Sequence, residues 1–259
     1  MIDLELNSYK DLKREGKSFY WASFFLPKSS KINAGILYSI CRYFDDIADK
    51  HSEDQTLYLK NSIEEIKNNK SNKVNIFLKK NKINNAIFID LIEGLILDQK
   101  KIRIQNKEEL IKYSYHVAGT VGLMMSKIIG VKNKNAAKSA IDLGIGMQLT
   151  NIARDVYEDS KMKRIYLPAN WIPNISLNNL NHPNEFSLET DEKISKAIHK
   201  LISLSEKFYE NGFAGMKYIP LSSRLGIFIA ANVYRAIGIK IKSNKKKYLR
   251  ERIYLNFFE

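Results

Sequence analysis

Apolar residues recur along most of this chain at intervals of three and four positions, the spacing of one face of an α-helix. Only 5 prolines and 12 glycines interrupt 259 residues, so long stretches are free of helix breakers. No convincing alternation predicts strands, and no repeat is visible. These features predict one all-α domain over 1–259. Helices are predicted at 30–49, 53–69, 83–99, 108–130, 134–159, 190–216 and 220–242.

Caps and prolines predict several helix ends. Ser29 or Ser30 is a candidate N-cap near the start of the first long helix, and Pro27 falls at its entrance. Asp191 is placed for a favourable interaction with the first turn of a later helix. An Asn-rich segment over 160–188, punctuated by prolines, is predicted to be a loop.

The net charge of +14 favours an anionic partner, which leaves nucleic acid, an acidic membrane surface and a phosphorylated substrate open. The single Cys41 excludes an internal disulfide. The charged amino terminus predicts no secretory signal. The apolar stretch 225–239 is shorter than the ~20 residues that span a bilayer, and it contains Asn232 and Arg235. We therefore expect a cytoplasmic protein, with peripheral contact at the inner face of the cell membrane left open.

The stretch CRYFDDIADK (41–50) places acidic side chains inside an otherwise apolar helix. Asp45 and Asp49 are four residues apart, so on a helix they share one face, one turn of about 5.4 Å from each other. Apolar neighbours such as Ile40 and Phe44 indicate that this helix is mostly buried. Two carboxylates in such a place repel each other and are costly unless a cation lies between them.

The same arrangement returns in GMQLTNIARDVYEDSKMKRIYLP (146–168). Asp155 and Asp159 are again four residues apart, Asn151 extends the same face by one turn, and Gln148 precedes Asn151 by three residues. Basic side chains lie within or just after the two motifs, namely Arg42, Arg154, Lys163 and Arg164.

One acidic pair at this spacing is common on a solvated helix face. Two pairs, each beside an arginine and among apolar residues, favour instead a site for divalent metal and diphosphate. Oxygen ligands on rigid helices suit Mg²⁺, which keeps several waters and shares its shell with substrate phosphates. We therefore expect the two motifs to face each other across a cavity and to bind Mg²⁺, with Mn²⁺ as the alternative ion.

Five stretches of the chain resemble the squalene/phytoene synthase family, the head-to-head isoprenyl diphosphate synthases. They are GKSFYWASFFLP (16–27), LYSICRYFDDIAD (37–49), YSYHVAGTVGLMM (113–125), QLTNIARDVYEDSKMKRIYLPANW (148–171) and ANVYRAIGIKI (231–241). The fourth is the most specific, and VAGTVGLMM, NIARD and VYRAIG look most like bacterial phytoene synthases. The turn SKMKR departs from the pattern, because many relatives carry a glycine before the arginine.

The resemblance implies an isoprenoid-synthase fold with helices around a large central cavity. It also implies Mg²⁺-dependent condensation of two geranylgeranyl diphosphates, the reaction of a phytoene synthase. One diphosphate leaves, and the allylic cation alkylates the second substrate to give a cyclopropylcarbinyl diphosphate. A second ionisation with rearrangement then gives phytoene. The final cation loses a proton instead of accepting hydride, so no NADPH is expected.

The resemblance also carries residue roles over to matched positions. Metal ligands are implied at Asp45, Asp49, Asn151, Asp155 and Asp159. Contacts with diphosphate or the adjacent prenyl chain are implied at Lys17, Ser18, Tyr38, Arg42, Gln148, Arg154 and Tyr234. A phosphate clamp is completed by Arg164, Tyr166 and Arg252. Tyr115 is placed beside the reacting carbons, where an aromatic face stabilises a carbocation, although tyrosines on helices are more often core residues with a hydrogen-bonded hydroxyl.

Other interpretations stay open. A sister enzyme that makes squalene or dehydrosqualene from farnesyl diphosphate would carry the same motifs, because chain-length choice depends on cavity depth. A basic helical nucleic-acid-binding protein would explain the charge but not the acidic motifs, so no nucleic-acid partner is expected. A non-catalytic subunit on the same fold would differ only in activity. The stretch 240–258 mixes cations with Tyr, Leu and Phe as an interfacial helix does, and a solvated basic end explains it equally well.

Overall fold

The computed structural model describes residues 10–50, 52–99 and 103–243. Most of these described residues lie in α-helices. The helices are α1 (Lys10–Glu15), α2 (Lys17–Ser23), α3 (Lys28–Ala48), α4 (Glu53–Lys67), α5 (Lys73–Lys80), α6 (Asn85–Asp98), α7 (Lys107–Ser114), α8 (Thr120–Ile128), α9 (Ala136–Arg154), α10 (Val156–Lys161), α11 (Leu177–Asn181), α12 (Leu188–Ala214) and α13 (Leu221–Ser243). The all-α prediction is confirmed.

Shorter elements connect these helices. A π-helical turn at Tyr115–Gly119 joins α7 to α8, and 3₁₀ turns occupy Pro183–Glu185 and Met216–Tyr218. The β-type pairing found among the described residues is a single parallel bridge between Arg103 and Ile165. None of the helices described is long and apolar enough to cross a membrane.

The predicted helices are all present, but two of them are interrupted. The one predicted over 134–159 divides at Asp155 into α9 and α10, and the one predicted over 108–130 contains the π-helical turn. Helices α1, α2 and α11 lie where no helix was predicted, and α11 interrupts the segment 160–188 that was predicted to be a loop. Helix α5 was not predicted either. It is only 8 residues long, and a helix of that length depends on tertiary burial, here of Phe77 and Leu78, because it is marginal by itself.

The predicted serine cap is wrong. Pro27 occupies the N-cap position of α3, and no side chain caps this helix. The hydroxyl of Ser30, inside the first turn, instead donates a hydrogen bond to the carbonyl of Ile128, 3.2 Å away, which ties α3 to α8. The prediction for Asp191 is confirmed, since it lies in the first turn of α12.

Besides a small cluster of Leu143, Tyr209 and Ala231, the described helices pack around two large apolar cores. One core joins α3, α4, α5, α6 and α8, and the other joins α7, α9, α12 and α13. Helix α9 packs against α8 of the first core and against α12 and α13 of the second. The close approach of α8 to α9 requires glycine, because a Cβ at Gly122 would overlap the carbonyl of Ala140. The candidate site lies in the space between the two cores.

Candidate active site

A cavity of about 630 Å³ is lined by residues of both cores. Along α9 its lining changes from Ala140 and Leu143 to Asn151 and Asp155 near the C-terminal end of the helix. The lining of α3 changes in the same direction, from Leu37 to acidic residues. The cavity therefore has one acidic end and a largely apolar remainder, which suits an elongated apolar ligand with an anionic head group.

The first acidic motif lies at the C-terminal end of α3, and its residues Asp45 and Asp49 line the cavity. Nη1 of Arg42 lies 3.2 Å from Oδ2 of Asp45, and Nη2 lies 2.6 Å from Oδ1 of Asp46. Although 42% of the Asp45 side chain is exposed, withdrawal from bulk water raises its pKa to about 7, and the neighbouring carboxylate of Asp49 adds to the shift. Asp45 is thus a carboxylate that a further cation would stabilise.

The second motif spans the junction of α9 and α10. Asp155 departs from helical geometry, with φ −106° and ψ 17°. Backbone hydrogen bonds nevertheless run from the N–H of Asp155 to Asn151 (2.9 Å) and from the N–H of Asp159 to Asp155 (2.8 Å), so the stacking predicted for these three side chains survives the break. Burial, followed by the charge of Asp155, raises the pKa of Asp159 well above its ordinary value.

Arginines neutralise this second motif and join it to the first. Arg154 donates from Nε and Nη2 to the two carboxylate oxygens of Asp155, at 2.8 and 2.6 Å. Arg164, just after α10, donates from Nη2 to Oδ1 of Asp49 on α3, at 2.9 Å. Lys163 precedes it with φ 61°, a left-handed conformation that glycine adopts most easily. The turn is therefore built here with lysine where many relatives were expected to carry glycine.

A buried cluster around Asp98 was not predicted from the sequence. Its carboxylate accepts hydrogen bonds from the hydroxyls of Tyr113 and Tyr166, both at 2.9 Å, and the two rings stack with centroids 4.8 Å apart. Burial raises the pKa of Asp98 to about 6, although Arg164 and the two hydroxyls oppose the shift. An aspartate directly after an apolar run, as in GLILD (94–98), is the signal that could have found it.

The arrangement agrees with a comparison of whole sequences. Residues 12–259 match the squalene/phytoene synthase family. The chain belongs to this family. It is a prenyltransferase, and the resemblance inferred from the motifs is confirmed.

Relatives support the family assignment over most of the length. The 15-cis-phytoene synthase of Pantoea ananas is 31% identical over 249 residues, which cover 87% of this chain and 78% of that protein. The 15-cis-phytoene synthase of Paracoccus sp. is 27% identical over 276 residues, with 98% and 87% covered.

Solved structures show the same fold. A dehydrosqualene synthase in complex with a ligand superposes with a TM-score of 0.75 at 25% identity, covering 93% of this chain and 92% of that one. A squalene synthase from Alicyclobacillus acidocaldarius gives a TM-score of 0.77 at 18% identity, covering 91% and 93%. The expected isoprenoid-synthase fold is confirmed.

Most residues singled out through the family resemblance line this same cavity. They are Tyr38, Arg42, Asp45, Asp49, Gln148, Asn151, Arg154, Asp155, Asp159, Arg164, Tyr166 and Tyr234. Because they come from α3, α9, α10, α13 and the segment after α10, their convergence is a property of the packing. Their individual roles stay predictions.

Three singled-out residues of the described ranges do not line the cavity. Lys17 and Ser18 lie in the first turn of α2 and are absent from its lining, and Arg252 lies outside the described residues. Tyr115 is also absent from the lining, since its hydroxyl donates to Oδ2 of Asp90 at 2.7 Å. Tyr113, two residues earlier, does line the cavity. Neighbours two apart on a helix face nearly opposite sides, so we assign the predicted aromatic contact to Tyr113 as a proposal.

The chemistry of the acidic end suits a hard divalent cation. Its donors are carboxylate and amide oxygens, and Oδ1 of Asn151 is buried without a hydrogen-bond donor. As they stand, no three His, Cys, Asp or Glu side chains of the described ranges are grouped to hold an ion. Three of the carboxylates are instead paired with Arg42, Arg154 and Arg164. These oxygen donors can bind Mg²⁺ once the three arginines release the carboxylates.

Proposed function

We propose that this chain is a phytoene synthase. It would join two geranylgeranyl diphosphates head to head, through a cyclopropylcarbinyl diphosphate, to give phytoene and release diphosphate. The names of the bacterial relatives, at 27% and 31% identity over most of their lengths, support this choice within the family. This reaction would need no NADPH, because the last cation is quenched by loss of a proton.

The observation that carries the proposal is that both acidic motifs line one cavity and are joined there by the Arg164–Asp49 pair. Five residues would hold Mg²⁺, namely Asp45, Asp49, Asn151, Asp155 and Asp159, and the bound ion would supply positive charge that stabilises the departing diphosphate. In this scheme the arginines exchange partners as substrate binds: each releases a carboxylate and takes a phosphate oxygen, a ligand that the planar guanidinium fits equally well.

The rest of the cavity holds the prenyl chains and excludes water. Apolar side chains such as Leu37, Val121 and Leu143 line it, and none of them can attack a carbocation. The stacked rings of Tyr113 and Tyr166 stand beside the acidic end. Aromatic faces stabilise positive charge without reacting with it, so these rings suit the region where the allylic cation forms.

A squalene or dehydrosqualene synthase acting on farnesyl diphosphate is the second candidate. The superposition with a dehydrosqualene synthase at 25% identity favours it, because the fold and the acidic motifs serve either chain length. Purified protein would be incubated with each diphosphate and Mg²⁺, with and without NADPH, and the product identified by mass. A C40 hydrocarbon from geranylgeranyl diphosphate supports the proposal. Turnover of farnesyl diphosphate alone would assign the second function, and no turnover of either would indicate a non-catalytic subunit.

A further inference from the structure

Six large apolar side chains are exposed together on one side of the protein. They are Trp21, Phe24, Phe25, Leu221, Leu225 and Phe228, and we call them the apolar face. Their exposed fractions run from 47% for Phe25 to 79% for Leu221. Scattered exposed apolar residues are normal on protein surfaces, but a contiguous group of them usually marks a contact site.

The two segments that carry the apolar face lie side by side. Near the start of α2, Phe19 stacks on Tyr234 of α13 with ring centroids 5.1 Å apart. Further along α2, a Cβ added at Gly226 would lie 3.0 Å from the carbonyl oxygen of Ala22 and 2.8 Å from the Leu26 side chain. Residues later along α2 therefore contact residues earlier along α13. The helices are antiparallel, and the end of α2 lies beside the start of α13.

Helix α13 presents apolar residues on two faces. Leu221, Leu225 and Phe228 follow the i, i+4, i+7 pattern and are exposed, whereas Gly226 and Ala230 are buried and line the cavity. Ala22 and Leu26, around the end of α2, line the cavity as well. The apolar face is thus separated from the apolar part of the cavity by a wall one helix thick.

Positive charge frames the apolar face. Segments 16–44 and 211–243 contain no Asp or Glu. Nζ of Lys31 lies 3.8 Å from the centroid of the Phe24 ring, and Lys28 and Lys217 are exposed. Arg224 donates from Nη2 to the carbonyls of Lys217 and Ile219, which places its charge at the start of α13. An apolar surface rimmed by cations complements the boundary between anionic head groups and acyl chains.

We propose that the apolar face docks this protein peripherally on a bilayer that contains anionic lipids. Trp21, Phe24 and Leu225 would enter the head-group region while the lysines contact lipid phosphates. A second copy of the chain is a poorer occupant, because two such faces would bring like charges together without an acid from either segment. The role of docking rests on the proposed function: a wholly apolar product made in the cavity would have to cross only the thin wall to reach acyl chains.

Binding would be measured by sedimentation of the full chain with vesicles of equal phosphatidylglycerol and phosphatidylcholine at low salt. The double variant F24S/L225S should bind at least about tenfold more weakly, since two apolar side chains no longer leave water. The matched control is L57S/I76S, which removes two apolar side chains that are 57% and 58% exposed on α4 and α5. Circular dichroism of each variant separates lost binding from lost folding.

Fluorescence locates the contact, because the chain has only two tryptophans, Trp21 and Trp171. In a Trp171→Phe background, vesicles should shift the Trp21 emission to the blue, and brominated lipid should quench it. Vesicle binding with unchanged Trp21 emission would overturn the proposal and assign the contact to another basic segment. Equal binding by F24S/L225S and the control would also overturn it. Lipid-free dimerisation that F24S/L225S abolishes would assign the face to a second copy. These measurements need no substrate, so they are independent of whether the chain makes phytoene.

Discussion

Nη2 of Arg164 lies 2.9 Å from Oδ1 of Asp49, and this ion pair ties the segment after the second acidic motif to the helix that carries the first. Arg164 is only 7% exposed, whereas the Asp49 side chain is 31% exposed, so the pair is partly shielded from solvent. Its guanidinium also approaches the carbonyl of Asp98 at 3.5 Å. The Arg164 side chain therefore links three parts of the site, namely its own segment after α10, the end of α3 and the end of α6.

Replacing this arginine should cost stability as well as activity. We expect Arg164→Ala to lower the free energy of unfolding by roughly 2–4 kcal/mol, because it leaves the buried Asp98 and the partly exposed Asp49 without their cation. Arg42→Ala is the control: its side chain is 37% exposed, and exposed ion pairs contribute about 1 kcal/mol or less. Urea unfolding measures both. Equal losses in the two variants would contradict a structural role for the Arg164–Asp49 pair.

The metal-binding hypothesis is tested inside one motif. Asp45→Asn should reduce turnover roughly 100-fold or more and shift the Mg²⁺ requirement upward, because it removes a ligand, whereas relief of carboxylate repulsion should keep the protein folded. Asp155→Asn should behave alike. Asp46→Asn is the matched control, since Asp46 is exposed and does not line the cavity. Product formation would be followed against Mg²⁺ concentration, and a normal rate for Asp45→Asn at limiting Mg²⁺ would argue against the site.

The two neighbouring tyrosines make a second matched pair. Tyr113→Phe removes a donor to the buried Asp98 inside the cavity, so we expect turnover to fall roughly 10- to 100-fold, in line with the 1.5–3 kcal/mol typical of hydrogen bonds to charged groups. Tyr115→Phe removes a donor to Asp90 away from the cavity and should change turnover by less than about threefold. Steady-state kinetics on both variants measures how much each tyrosine contributes to turnover. The opposite ranking would restore the role first assigned to Tyr115.

Asp98 should make stability depend on pH in an unusual direction. Its pKa is about 6 in the folded protein and 3.8 as its ordinary value. The folded state therefore binds the proton more tightly, and Asp98 favours folding most below about pH 4 and loses that contribution as the pH rises through 6. Asp98→Asn cannot ionise, so its stability relative to the wild type should rise by roughly 2–3 kcal/mol between pH 4 and pH 7. Urea unfolding at both pH values provides the test, and a difference that is flat or of opposite sign would refute the raised pKa.

Much of the site could be predicted because its signals are local. The helical spacing of Asp45 with Asp49, and of Asn151 with Asp155, follows from 3.6 residues per turn and needs no knowledge of the fold. The break of α9 at Asp155 was missed, yet it left the prediction usable, because the backbone hydrogen bonds continue across it. Helix α5 was missed because its eight residues have little helical preference until Phe77 and Leu78 are buried.

By itself, then, the sequence determined the helical class, the two acidic motifs and the chemistry that they suit, since these depend on residue type and on spacing along one helix. Only the tertiary structure decided that Arg164 reaches Asp49, that Tyr113 faces the cavity in place of Tyr115, and that Asp98 is enclosed by two tyrosines. Those relationships depend on how each helix is rotated about its axis and packed against its neighbours. Rotation and packing are set by burial over the whole chain, so no short stretch of residues specifies them.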